Sequence, residues 1–393
     1  MDNAVLIGLL IRQRRLKNNW SQEGLSKGIC SVSYLSKIEQ GKADASGEVM
    51  KLLLERLGLK WYDDENTVRR AKELSSKLYD AIFSMLPKSH TRKLLDELTD
   101  KWEVYSCCPY FIELSLERAN LEDSFEPDLP QGSHEYFNKR QKELYYAFLD
   151  QLDELPRFSD TALGFAGAGY KNYTVGNYSQ ALDDLLHAAR LSQDEGRVHL
   201  TLFIRLTIAG CYANMGDLDQ MDFHHAVARR IAQALDDEDS IYTIDYNTAA
   251  THLERGDAQR AYDYFSKVRH IKSKLNLHKL AICCERLGKK EEALEALETA
   301  QSCEYEPVAI SNETLDWMLA IIEYRLKHPD HLSDPNYGKM LLSGFENLKK
   351  NAPSGFIRFH IPYVTGWYTA NRQYKQAYEL LRDFPDIGIS GLL

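Results

Sequence analysis

Residues 21–41 read SQEGLSKGICSVSYLSKIEQG. Ser21 suits the start of a helix, because its hydroxyl can accept from an unpaired backbone N–H of the first turn, and Gln22-Glu23 carry the helix on to Ser26. Gly28 releases it. Ser31 opens a second helix, predicted over Val32 to Gln40, and Gly41 ends it. Working outward, residues 3–17 place apolar side chains at Val5, Leu6, Leu9, Leu10 and Leu16, a helical stripe flanked by arginines and stopped at Asn18-Asn19. On the far side Ser46 starts a fourth helix with an expected buried stripe of Val49, Leu52, Leu53 and Leu57, closed by Gly58. Four short, well-capped helices make a small head, predicted to occupy residues 1–62.

The charge follows the same division. The chain of 393 residues carries 48 Lys/Arg against 58 Asp/Glu, a net charge of −10 that taken whole argues against nucleic acid. Residues 1–60 hold ten Lys/Arg and six Asp/Glu, or +4, which leaves 38 against 52, or −14, for the rest. A basic head on an acidic body is expected when only one domain meets phosphate. A hydrophobic share of 44% with 27% charged residues excludes a disordered chain. No run approaches the roughly 18 apolar residues that span a bilayer. The apolar stretch from Ala4 to Ile11 follows Asp2 and precedes Arg12, Arg14 and Arg15, the reverse of a secretory leader. The reading is a cytoplasmic protein with no membrane partner. The seven cysteines show no CxxC spacing; they are expected as free thiols, with Cys107-Cys108 and Cys283-Cys284 as buried small apolar residues.

The head resembles the Cro/repressor (XRE-type) helix-turn-helix. The residues that carry the likeness are Ile11-Arg12 with Arg15, Ser21-Gln22, Leu25-Ser26 and, above all, Ser33 through Gly41. One departure stands out: Gly28 is two residues after Ser26 where the family pattern has four, so the turn is short. The resemblance implies a third helix lying in the major groove, with its N-terminal residues toward base edges. Carried over position by position, Val32, Ser33, Ser36 and Lys37 become the base-facing candidates. Val32 suits a thymine methyl, and Lys37 suits guanine O6/N7. Arg12, Gln22, Tyr34 and Lys42 become the phosphate contacts. Leu35 and Ile38 fall on the opposite face as core, and Glu39 is expected to pair with Arg12 or Arg15 inside the domain.

After Trp61 the sequence turns to tyrosine-rich amphipathic helices, expected over about 65–86, 89–106, 109–121 and 134–153. From residue 161 a repeat emerges. Gly176-Asn177 precedes Ala181, Gly216-Asp217 follows 40 residues on, Gly256-Asp257 precedes Ala261, Gly288-Lys289 precedes Ala293, and Arg372-Gln373 precedes Ala377. A turn glycine with a small residue five positions later is the centre of a tetratricopeptide-like helix pair. The fold class is therefore all-α: a helix-turn-helix domain, then a right-handed superhelical array of such pairs over residues 63–393. Helix A of each pair lines the concave face of such an array. Counting back from the turns places Tyr170, Tyr173, Phe203, Asn214, Tyr246, His278, Glu285 and Arg286 on that face.

The combination resembles the RRNPP-type (Rgg/PlcR-like) quorum-sensing regulators. The resemblance implies a homodimer that binds double-stranded operator DNA and accepts a short linear signalling peptide in the groove. It also marks Asn214 as the residue that holds the peptide backbone, since a carboxamide can donate and accept at once. Arg286 is the candidate for a peptide carboxylate. The alternative is a repressor or scaffold of the same build, controlled by a protein partner. No HExxH, P-loop, GxSxG or Rossmann glycine cluster is present, and the histidine pairs lack partner ligands at metal spacing. Neither an enzyme nor a metal or cofactor is expected.

Overall fold

The computed structural model describes residues 2–271, 273–303, 310–352 and 354–384. They are helical, with no strand among the described residues. The chain divides into two compact units, residues 1–208 and 209–393.

The first unit opens with α1 (Asp2–Lys17), α2 (Gln22–Ser26), α3 (Val32–Glu39) and α4 (Gly47–Arg56). The three serines cap as their positions require: the hydroxyls of Ser21, Ser31 and Ser46 accept from the N–H of Gly24, Tyr34 and Val49 at 3.0, 3.1 and 3.3 Å. The core under them is Leu6, Leu10, Ile11, Leu25, Leu35, Ile38, Leu53 and Leu54. α1 crosses α3 so closely that a Cβ on Gly8 would lie 2.1 Å from the Ile38 carbonyl oxygen. Two expected core residues are outside. Leu16 and Leu52 are 55% and 42% exposed, while Leu54 is fully buried. In α4 the buried line runs through 53, 54 and 57, and at 100° per residue Leu52 sits on its outer edge.

The same unit continues with α5 (Glu65–Phe83), α6 (Lys88–Asp100), α7 (Trp102–Tyr105), α8 (Phe111–Leu121), α9 (Lys139–Phe148), α10 (Ala162–Thr174) and α11 (Tyr178–Asp194). The helix expected over 89–106 breaks at Lys101, which leaves helical geometry at φ −108°, ψ 24°. The one expected over 134–153 is three pieces. A 3₁₀ turn covers Ser133–Tyr136, α9 restarts on a reciprocal cap between Asn138 and Gln141, and Asp150 ends it in the left-handed region at φ 55° before a second 3₁₀ turn at Leu152–Arg157. The head is seated on this bundle: the Tyr62 N–H donates to the Cys107 carbonyl at 2.8 Å, and Trp61 meets the Phe111 ring edge-on at 6.2 Å. Asp128, in the proline-rich loop, accepts from Gln13 Nε2 at 2.8 Å and pairs with Arg14 at 3.2 Å.

α12 (Val198–Met215) leads into the second unit, followed by α13 (Leu218–Ala234), α14 (Glu238–Glu254), α15 (Ala258–Phe265), α16 (Lys274–Arg286), α17 (Lys290–Gln301), α18 (Asn312–Lys327), α19 (Pro335–Asn351), α20 (Ser354–Ala370) and α21 (Tyr374–Asp383). All five expected repeat turns form, and all by one device. Gly176, Gly216, Gly256 and Gly288 adopt φ of 83°, 83°, 98° and 73°, and Arg372 takes the same left-handed place at φ 57°. The next N–H then returns to a carbonyl five residues back, as from Asp217 to Tyr212 at 3.0 Å and from Gln373 to Tyr368 at 2.8 Å, which closes the helix end. Ala181, Ala261 and Ala293 are fully buried where the second helix of each pair approaches the first, and Met221 fills that register after Gly216. Leu253, Phe265, Leu280, Ala281 and Leu297 build one core of this unit, and Ile321, Tyr337, Leu341, Phe345 and Ile361 another.

Candidate DNA-reading helix and ligand face

The candidate DNA-reading surface is decided by what holds α3 from behind. Leu35 and Ile38 are buried, and Glu39 is 1% exposed at the end of the helix. Its carboxylate takes both arms of Arg15, Nε to Oε1 at 2.6 Å and Nη2 to Oε2 at 2.8 Å. Of the two expected partners, it is Arg15 that pairs. Arg15 Nη1 donates to the Trp20 carbonyl at 2.8 Å, and Gln22 Nε2 donates to Glu39 Oε2 at 2.8 Å. One ion pair therefore fixes α1, the start of α2 and the end of α3 together.

On the outer side Val32, Ser33 and Lys37 are exposed, along with Arg12 and Lys42. Ser36 is half-buried and accepts from Gln40 Nε2 at 3.2 Å. Two of the phosphate candidates are already engaged. The Tyr34 hydroxyl donates to the Asp44 carbonyl at 2.8 Å, bracing the turn after α3, and the Gln22 amide nitrogen is committed to Glu39, leaving its oxygen. Neither engagement is visible in the spacing of the sequence, because each partner lies ten or more residues away.

The expected ligand residues fall in both units. In the first, Tyr170, Tyr173 and Phe203 form an aromatic cluster with ring centroids 6.2 Å and 5.6 Å apart, and Tyr170 is 46% exposed. In the second, the structure sets α20 against the expected face. Asn214 donates from Nδ2 to the Gly210 carbonyl of its own helix at 2.7 Å, and its Oδ1 accepts from Arg358 Nη2 of α20. Arg286 donates to the Leu253 carbonyl and, at 3.3 Å, to the Tyr363 hydroxyl of α20. Glu285 is held by both arms of Arg325 at 2.7 and 2.6 Å. Tyr246 packs edge-on against Phe265 at 5.7 Å.

His278 requires correction as a surface residue of that face. It is fully buried, and neither ring nitrogen has a hydrogen-bond partner. It stacks on His360 at 6.1 Å, and burial together with the neighbouring Lys279, His360 and Arg325 charges keeps its imidazole neutral. Helical counting faced it inward from α16, and α20 covers that side. Arg358, Tyr363, Arg325 and Lys279 also meet there, and none was legible from the turns. The Asn214–Arg358 contact spans 144 residues of sequence. No cluster of three or more metal-ligating side chains occurs among the described residues, and no helix there is long and apolar enough to cross a membrane.

Comparison with known proteins agrees with this build. Residues 11–63 match the Helix-turn-helix family model, and residues 217–300 match the model of anaphase-promoting complex, cyclosome, subunit 3. The transcriptional activator NprA of Geobacillus stearothermophilus is 22% identical over 92% of this chain and 100% of its own length. The crystal structure of Rap protein complexed with competence and sporulation factor superposes with a TM-score of 0.55 at 15% identity, over 83% of this chain and 98% of that one, and so shares its fold.

Proposed function

We propose that this chain, which has the two-part architecture of the RRNPP-type regulators, is a sequence-specific DNA-binding transcriptional regulator controlled by a short linear peptide. The observation that carries the DNA half is the pose of α3. Its inner face is locked by the Arg15–Glu39 pair, while Val32 and Ser33 in its first turn and Lys37 in its last stand exposed. The functional division falls after Tyr62, with the basic N-terminal segment meeting DNA and the acidic remainder taking the peptide and forming a homodimer. A repeat-turn array supplies the peptide surface, and a relative named a transcriptional activator over its whole length supports the regulatory reading.

Two substitutions test the helix register. Lys37→Ala is expected to cost about 1–3 kcal/mol at one half-site position and to relax the preference there. Lys42→Ala should instead weaken every sequence alike and lower the salt slope by about one. Selection of bound sequences from a random duplex library, followed by binding at several salt concentrations, separates the two, and reversed behaviours would sink the register. Dimerisation is expected because two heads on one particle read half-sites roughly 34–36 Å apart, or a multiple of that. Light scattering that gives a monomer at micromolar concentration with and without DNA would count against it.

A further inference from the structure

Residues 209–393 are acidic, with 21 Lys/Arg against 27 Asp/Glu. Carboxylates are therefore plentiful, and Arg260, Arg269 and Arg325 each hold one, at 2.8, 2.8 and 2.6 Å. The arginines around Asn214 are different. Arg255 donates to the Ala213 carbonyl at 3.0 Å, Arg286 to a carbonyl and a hydroxyl, and Arg358 to the Asn214 amide oxygen. Among the described residues none of these three has a carboxylate within ion-pair reach. Lys279 adds a fourth cation; it is buried and lies 3.4 Å over the Phe359 ring, next to Arg358 in sequence. Glu254 is the carboxylate near enough to act on Lys279, and Glu285 is already neutralised by Arg325.

Arg255 and Arg358 each leave a buried Nε without a partner beside an Nη2 on a neutral acceptor. The acceptor of Arg255 is the Ala213 backbone carbonyl, whereas that of Arg358 is a side chain, which can give way. Arg358 is therefore the most telling of the four. Its Nε is buried without a partner, while Nη2 on the same edge holds only a neutral amide. That Nε/Nη2 edge is the one through which Arg15 takes Glu39 and Arg325 takes Glu285, each by two parallel bonds. A guanidinium edge accommodates a carboxylate side-on, and a charge-assisted pair is roughly twice as strong as a bond to a neutral acceptor. An edge with one neutral bond and one orphaned donor is thus a carboxylate receptor holding a stand-in.

We propose that Arg358 is the specificity-determining residue of the ligand face, and that the ligand carries a carboxylate which takes the Nε/Nη2 edge from Asn214. The exchange releases the Asn214 carbonyl oxygen to accept a backbone N–H of the same ligand, so that recognising the acid and holding the chain become one event. This rests on the peptide reading above and adds to it the chemistry of the peptide and the residue that reads it.

The test uses the full chain and two pools of random heptapeptides. One has free C-termini and contains Asp and Glu; the other is C-terminally amidated and contains neither. Bound peptides are counted by mass spectrometry after native gel filtration. The acidic pool is expected to be retained at least tenfold more than the neutral one. Arg358→Met should bring the two within about twofold, Arg358→Lys should keep part of the preference, and Asn214→Ala should lower retention while leaving the preference intact. Equal retention of both pools by the unaltered chain, or an undiminished preference in folded Arg358→Met and Arg358→Lys alike, overturns the assignment while leaving peptide binding standing. Retention of neither pool overturns the peptide reading itself, and this inference with it.

Discussion

Glu39→Ala is expected to destabilise the N-terminal head by about 3–5 kcal/mol and to abolish operator binding at ordinary temperature. The carboxylate is 1% exposed and is the shared acceptor of Arg15 and Gln22. Its removal leaves the Arg15 guanidinium, itself 8% exposed, charged and half unsatisfied inside a head whose whole stability is of the same order. The Glu39 hydrogen bond is the leading reason the Arg15 pKa stands above its ordinary value; without it the guanidinium still keeps its proton, because arginine is not deprotonated in proteins. Thermal unfolding followed by amide exchange over residues 4–58 checks this, with the helices of residues 209–393 as an internal control. Glu39→Gln, which keeps the shape and one acceptor, should lose less. A head that melts within 1 kcal/mol of the unaltered one in Glu39→Ala would show that the pair is dispensable.

Glu117→Gln should stabilise the first unit, and more so the higher the pH. Glu117 is fully buried on α8. It accepts from Ser75 Oγ at 2.8 Å and from Arg140 Nη2 at 3.2 Å, and its second oxygen has no partner. Burial disfavours the anion and pushes the carboxyl up to about 8, against the pull of Ser75 and Arg140. A group whose folded pKa lies above its unfolded one binds more protons in the native state between the two. Stability therefore falls as pH rises through that interval. Between pH 6.5 and 8 the loss is about 1.5 kcal/mol, from about 1.36 kcal/mol per unit at the lower end to half that where the carboxyl is half ionised. Glutamine keeps the hydrogen bond from Ser75 and cannot ionise. Urea unfolding of residues 1–208 at the two pH values is expected to show the slope in the parent and its loss in Glu117→Gln. A parent whose midpoint is the same at both would mean that Arg140 holds the carboxylate ionised throughout.

Much of the architecture is local and was therefore legible in advance. Ser21, Ser31 and Ser46 cap, and Gly41 and the repeat glycines turn, because each choice is settled within four or five residues by backbone sterics and one hydrogen bond. Leu16 and Leu52 failed the same treatment for a different reason. Periodicity marks a wide apolar stripe, and only the neighbouring helices decide which edge of it stays wet.

Sequence by itself determined the helical class, the capped four-helix head, the five repeat turns and the Glu39 partnership within the head. The tertiary structure alone decided what those surfaces face. It engaged Tyr34 and Gln22 within the head, buried His278, and brought Arg358 from the penultimate helix onto Asn214, 144 residues away. The physical reason is one of range. Caps and turns are chosen by interactions a few ångströms along the chain, whereas the partner of a side chain such as Asn214 is fixed by the summed small rotations of every helix pair between the two, which no spacing of residues encodes.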